Sequence, residues 1–190
     1  MPAKVMIHLC CILFIRMNSV KGCVMDLLDR LLGHDVWTTR QLLLQAQSLS
    51  SAQLDQQFAI DQRSLRECFE HIIENMESWC DLMAERPVRD LTDNSIEGLL
   101  QRLSNAGRDF AAIARTISRE QRWDAVYSDV LDDPPMQKTY GGTIGHLITH
   151  SMHHRAQIML MLEQFGCQEH IEGDLLSWEA QAFGWKSHDH

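Results

Sequence analysis

Four of the chain's ten histidines fall within nine residues: His146, His150, His153 and His154. Neutral imidazole is a metal ligand, and two imidazoles one helical turn apart can share one divalent ion. On an α-helix His146, His150 and His154 are successive i, i+4 neighbours, and Gln157 and Met161 continue that face. His153 points about 100° away from His154, so the four cannot all converge on one point. A wet polar helix face, or one histidine satisfied in the core, would give the same spacing. A third ligand elsewhere in the chain separates those readings from a metal site.

The stretch that carries them, 141–166, must be helical. It holds no proline, its apolar residues recur at three and four spacing, and Gly166 closes it as a natural C-cap. Residues 26–49 give a first helix through Leu27, Leu28, Leu31, Leu32, Val36, Leu42, Leu43 and Leu44. The rhythm is broken at Gly33, and His34 and Trp37 are surface neighbours. Ser50 opens a short capped turn. Ser64-Leu65-Arg66-Glu67 has capping-box form and starts a second helix that runs to about Met83, ahead of Pro87. Leu65, Cys68, Phe69, Ile72, Ile73, Met76, Trp79, Cys80 and Met83 make its buried stripe. His71 sits at the edge of that stripe, one turn before Asn75. Residues 93–117 form a third helix capped at Asp93 or Asn94, with Asp109 and Arg115 expected in solvent. Between it and the histidine helix, residues 123–140 read as a small β-hairpin or an extended crossover that turns at Asp132-Asp133-Pro134-Pro135. A last short helix over Leu175–Phe183 brings Trp178, Phe183 and Trp185 to cover one end.

Four long amphipathic helices with one long crossover make an all-α four-helix bundle, whose core is a usual place for metal sites. The edge of helix two can face helix four there. His71 is then the natural third ligand for a histidine pair on helix four.

The 190 residues suit a single domain, expected over 25–190. A formal charge of −9 with no Lys/Arg cluster excludes nucleic acid as a partner. The apolar run at 5–15 is too short to span a membrane, and its flanks are poor for export. Residues 1–24 are therefore set apart from the fold, as sequence upstream of a start at Met25 or as a weak targeting segment. The six cysteines contain no Cys-x-x-Cys pair, and Cys68 and Cys80 read as small core residues. A reducing cytoplasm is the expected location. The tail after Gly166 is acidic.

Three segments together resemble the DinB/YfiT-like superfamily of metal-binding four-helix bundles, damage-inducible proteins distinct from the DNA polymerase that shares the name. They are His34-Asp35-Val36-Trp37-Thr38-Thr39-Arg40 on helix one, Ser64-Leu65-Arg66-Glu67-Cys68-Phe69-Glu70-His71-Ile72 opening helix two, and His150-Ser151-Met152-His153-His154-Arg155-Ala156-Gln157 on helix four. The resemblance covers about residues 26–166, with Ala156 standing where glycine is common. It implies a divalent metal held by His71, His150 and His154, and a His146/His150 pair is the main competitor. Zn, Ni, Fe, Mn or Cu would each suit three imidazoles.

Characterised members include thiol transferases and isomerases that use low-molecular-weight thiols such as bacillithiol or mycothiol. The resemblance therefore implies a metal-dependent thiol transferase, and commonly a homodimer. Metal-assisted hydrolysis, or a metal-binding and dimerising bundle without turnover, are the rival expectations. Arg155 is expected in a contact between helices, Gln157 to orient a ligand or a water, and His34 to line the pocket mouth.

Overall fold

The computed structural model describes residues 25–60, 62–90, 93–167 and 171–184; the expectations for residues 1–24 and for Trp185 lie outside them. The long helices are α1 (Leu27–Ala46), α3 (Leu65–Met83), α4 (Ile96–Arg119) and α5 (Tyr140–Gln164). Between α1 and α3 lies the single turn α2 (Ser51–Leu54), and α6 (Leu175–Phe183) follows α5. The hairpin forms as expected. Strands β1 (Val126–Asp129) and β2 (Met136–Thr139) pair antiparallel, Val126 opposite Thr139 and Asp129 opposite Met136.

Each helix starts where a side chain can accept an orphan backbone N–H. Ser50 and Ser64 form full capping boxes with Gln53 and Glu67. The third long helix begins later than expected: Ser95, not Asp93 or Asn94, caps Gly98, at 3.0 Å. Asp93 instead accepts the Ser95 N–H at 2.8 Å, turning the chain into the cap. At the other end of the bundle Phe165 is the C-cap of α5 and Gly166 follows it at φ +77°. The Gly166 N–H bonds Glu163 and the Cys167 N–H bonds Leu162, the Schellman pattern that favours glycine at the left-handed position.

Among the long helices, α1 packs on α4 and α5, and α3 packs on the same two, so α1 and α3 lie diagonally and α3 and α5 are neighbours. The centre is filled by Leu42, Leu43, Phe69, Ile72, Ile73, Met76, Leu99, Leu103, Phe110, Leu147 and Ile158, each at most 1% exposed. The expected stripe on α3 is buried except for Trp79, which is half-buried. Leu27, expected on the apolar face of α1, is exposed at the helix start.

Charges stitch the outer seams. Arg102 on α4 is buried against Glu77 of α3, Nη2 to Oε2 2.8 Å. Asp81 receives Arg86 and Arg89; burial would raise its carboxyl, but these bonds outweigh it and hold the group at about 2. Asp109 and Arg115 are on the surface but not merely solvated: Asp109 takes Arg86 at 2.7 Å, and Arg115 reaches Asp29 at 2.7 Å.

The hairpin docks through Tyr127, whose hydroxyl meets Thr143 Oγ1 at 2.7 Å and whose ring lies 5.1 Å from that of Tyr140. The tail lies along α1. Trp178 is buried at Gly33, where even a Cβ would come within 2.5 Å of its ring, and Arg30 bonds Glu179 at 2.7 Å. The break in the apolar rhythm at Gly33 is therefore the seat of α6. Among the described residues no helix is long and apolar enough to cross a membrane.

Candidate metal centre

The site is built between α3 and α5. Ile144, Leu147, Ile158, Met161 and Leu162 are buried and fix the rotation of α5. A polar pin adds to them. Arg155 Nη1 donates to the Asp35 carboxylate, to the Asp35 carbonyl at 3.3 Å and to Thr39 Oγ1 at 3.3 Å, all on α1. Arg155 and Asp35 are 3% and 0% exposed. Burial pushes the Asp35 carboxyl up, and the Arg155 guanidinium pulls it back. With Arg155 turned to α1, the turn holding His150 and His154 faces α3.

There the two helices bring His71, His150 and His154 together. The His71 and His150 Nε2 atoms are 3.1 Å apart. Ring centroids are 5.0 Å apart for His71–His150, 4.7 Å for His71–His154 and 4.5 Å for His150–His154. One ligand nitrogen from each falls within 4.8 Å of the others; His154 is buried and the other two half-buried. Among the described residues this is the group of His, Cys, Asp or Glu side chains that could hold a metal ion.

His146 does not enter it. Its ring stacks on the outer side of His150 at 5.0 Å and 28°, with Trp79 at 6.2 Å. His153 is exposed, its ring 5.2 Å from that of His154. The competing His146/His150 pair thus lacks a third partner at the position where His71 meets His150 and His154.

The donor set suits a divalent ion. Two nitrogens each 2.0–2.1 Å from a tetrahedral zinc are about 3.4 Å apart, close to the His71–His150 separation. A ligand imidazole must be neutral, and His150 is pushed down to about 4 by burial and by the neighbouring His154, His146, His153 and Arg63. Its lone pair is therefore free of a proton at neutral pH. Two amides touch the rings. Asn75 Nδ2 donates to the His71 carbonyl at 2.8 Å and lies 3.2 Å from the His71 ring nitrogens and 3.4 Å from His150 Nε2. Gln157 Oε1 lies 2.7 Å from His154 Nδ1. A partner such as Gln157 can orient a ligand ring, whereas Asn75 stands beside the His71 and His150 Nε2 atoms themselves.

Of the expected site residues, the structure brings three together and reassigns one. His34 is buried, and its Nε2 lies 2.8 Å from the Gly173 carbonyl, so it ties the tail to α1 instead of facing a pocket mouth. Burial lowers the pKa of its ring. Asn75 was legible as the residue one turn after His71, yet nothing in its type announces a ring contact. Asp35 was legible only as part of a motif. Its pairing with Arg155 needs the packing of α1 on α5.

A comparison with curated proteins gives no match. A family model described as DinB superfamily matches residues 35–158, about two thirds of the chain. That span begins at Asp35, contains all three histidines and ends at Ile158. The chain belongs to the DinB superfamily.

Proposed function

We propose that His71, His150 and His154 hold a divalent transition metal, zinc, nickel, iron or manganese, and that the loaded site activates a low-molecular-weight thiol for transfer to an electrophile. The carrying observation is the meeting of three imidazole nitrogens from two helices within 4.8 Å of one another. A divalent ion supplies Lewis acidity that lowers the pKa of a thiol or water bound to it. Three protein ligands leave a fourth position for such a group, the pattern of catalytic sites.

The thiol stands ahead of hydrolysis on the family likeness, whose characterised members include thiol transferases. A bound water would lose its proton by the same effect, so the nucleophile is decided by assay. Turnover of a panel of alkyl and epoxide electrophiles, with and without a thiol such as bacillithiol, mycothiol or glutathione, tests this. Product formed only with thiol and metal together supports the reading. Hydrolysis without thiol assigns the site to the rival enzyme class, and stoichiometric metal with no turnover assigns it to metal binding alone. Cys68 and Cys80 are buried thiols, which suits a reducing cytoplasm.

Pairing with a second copy belongs to the same reading. From Gly141 to Leu162 the one charged side chain is buried Arg155, and Gly142, Gly145, Thr149, Met152, Ala156 and Leu160 face outward. An outer face so poor in charge suits a helix of another protomer. Light scattering of wild type and Met152→Lys would give a dimer and a monomer; a monomeric wild type at high concentration removes the dimer.

A further inference from the structure

Gln157 stands one turn beyond His154 on α5 and touches two histidines with opposite ends of one amide. Its Oε1 lies 2.7 Å from His154 Nδ1, and its Nε2 lies 3.2 Å from His153 Nε2. An amide oxygen only accepts, so the proton of neutral His154 sits on Nδ1 and Nε2 keeps its lone pair. The amide nitrogen only donates, so His153 presents a lone pair at Nε2. Turned over, the amide would donate to His154 Nδ1 and accept from a His153 Nε2–H, which puts the His154 proton on Nε2. The orientation in the structure is the one that leaves Nε2 with its lone pair.

We propose that Gln157 is a positioning residue: it fixes His154 as the Nδ1–H tautomer with Nε2 available as ligand, and His153 Nε2 accepts the other end of the amide. This rests on the metal reading above. Free histidine favours the other tautomer, with the proton on Nε2, so the bond to Gln157 selects the ligating form before any metal arrives. The exposed His153, which the metal group does not include, gains a role as the outer support of that amide.

Long-range proton–nitrogen correlation spectra of metal-free, histidine-labelled protein read the tautomer directly, with His154 assigned from His154→Ala. Zinc titration calorimetry on the same samples reads affinity. Wild type is expected to show Nδ1–H at His154. Gln157→Leu is expected to shift that ring toward Nε2–H and to weaken zinc about 10- to 100-fold, the usual loss when a ligand's orienting partner is removed. Gln157→Glu keeps an acceptor in place and should restore both. His153→Ala should weaken zinc less than Gln157→Leu does. An Nε2–H ring in wild type, or zinc affinity unchanged in Gln157→Leu while wild type binds, overturns the role of Gln157. A wild type that shows Nδ1–H but takes no zinc instead overturns the metal reading, and the positioning role with it.

Discussion

Two polar clusters meet on adjacent residues of α5, and they differ in how their charge is satisfied. Arg155 turns to α1 and is closed by the Asp35 carboxylate, the Asp35 carbonyl and Thr39. His154, one residue earlier, turns to α3 and meets His71 and His150, groups of its own kind. The first cluster pairs opposite charges at almost no exposure and sets three acceptors around one guanidinium, although Asp35 Oδ2 and Arg155 Nη2 are buried without a hydrogen bond. The second brings three bases together with no acid among them, and burial, helped by the neighbouring His154, His146 and His153, drives His150 to about 4. Without an ion, the His71 and His150 Nε2 atoms, 3.1 Å apart, can share one proton. The contrast points to different work, one cluster holding the helix and the other compatible with a cation.

The largest effect separating them is on stability. Arg155→Leu leaves the Asp35 carboxylate buried without its partner, and chemical denaturation should show a loss of about 3–5 kcal/mol. The double variant Asp35→Leu/Arg155→Leu should recover most of it, because an apolar pair can replace a buried ion pair. A single-variant loss below about 1 kcal/mol would mean that the pin does not hold α5.

His71→Ala should behave in the opposite sense. Metal-free, it should unfold within about 1 kcal/mol of wild type, because the half-buried ring gives up no opposite charge. With zinc at a hundred times its dissociation constant, wild type should gain about 2.7 kcal/mol and His71→Ala almost nothing. Equal gains would show that zinc binds elsewhere.

Gly33→Ala tests the seam of α6, away from both clusters. The added methyl would press on Trp178, and a loss of about 1–3 kcal/mol is expected by thermal unfolding. Retention of zinc stoichiometry would show that the tail and the metal centre are separate.

The last test is the pH dependence of the metal-free protein. The folded-state pKa of His150, about 4, lies below its ordinary 6.5. The unfolded chain therefore takes up that proton first as pH falls. Its contribution is fully present above about 6.5 and is lost as pH drops from there to about 4. The Asp81 contribution, from a carboxyl held at about 2 against an ordinary 3.8, is lost only below that window, as pH falls from 3.8 to about 2. His150→Gln should make the upper window shallower, leaving there the part that His34 contributes, and leave the lower. Identical profiles for wild type and His150→Gln would refute the assignment.

Most of the helices were legible because their apolar spacing and caps agree: the capping box at Ser64 and Gly166 after α5 each mark an end that the structure keeps. The start of α4 was misplaced because Asp93, Asn94 and Ser95 are all good caps, and only the backbone path makes Ser95 the acceptor. The polar inner side of α1 was not legible at all. His34, Asp35, Thr38 and Thr39 are buried there, where the 3.6-residue rhythm expects apolar side chains, because Arg155 and the Gly173 carbonyl come from parts of the chain more than a hundred residues away. The histidine group was legible to its three members through spacing and family likeness together. Which face of His150 carries His146 and which carries His71 followed from the contact of α3 with α5, which no local pattern encodes.

The most direct test is metal content by inductively coupled plasma mass spectrometry on untagged protein, comparing wild type with His71→Ala, His146→Ala and His154→Ala. About one metal per chain is expected in wild type and in His146→Ala, and almost none in His71→Ala or His154→Ala. A wild type that carries no metal and gains none from added zinc or nickel would contradict the metal centre. The three histidines would then be packing groups between α3 and α5.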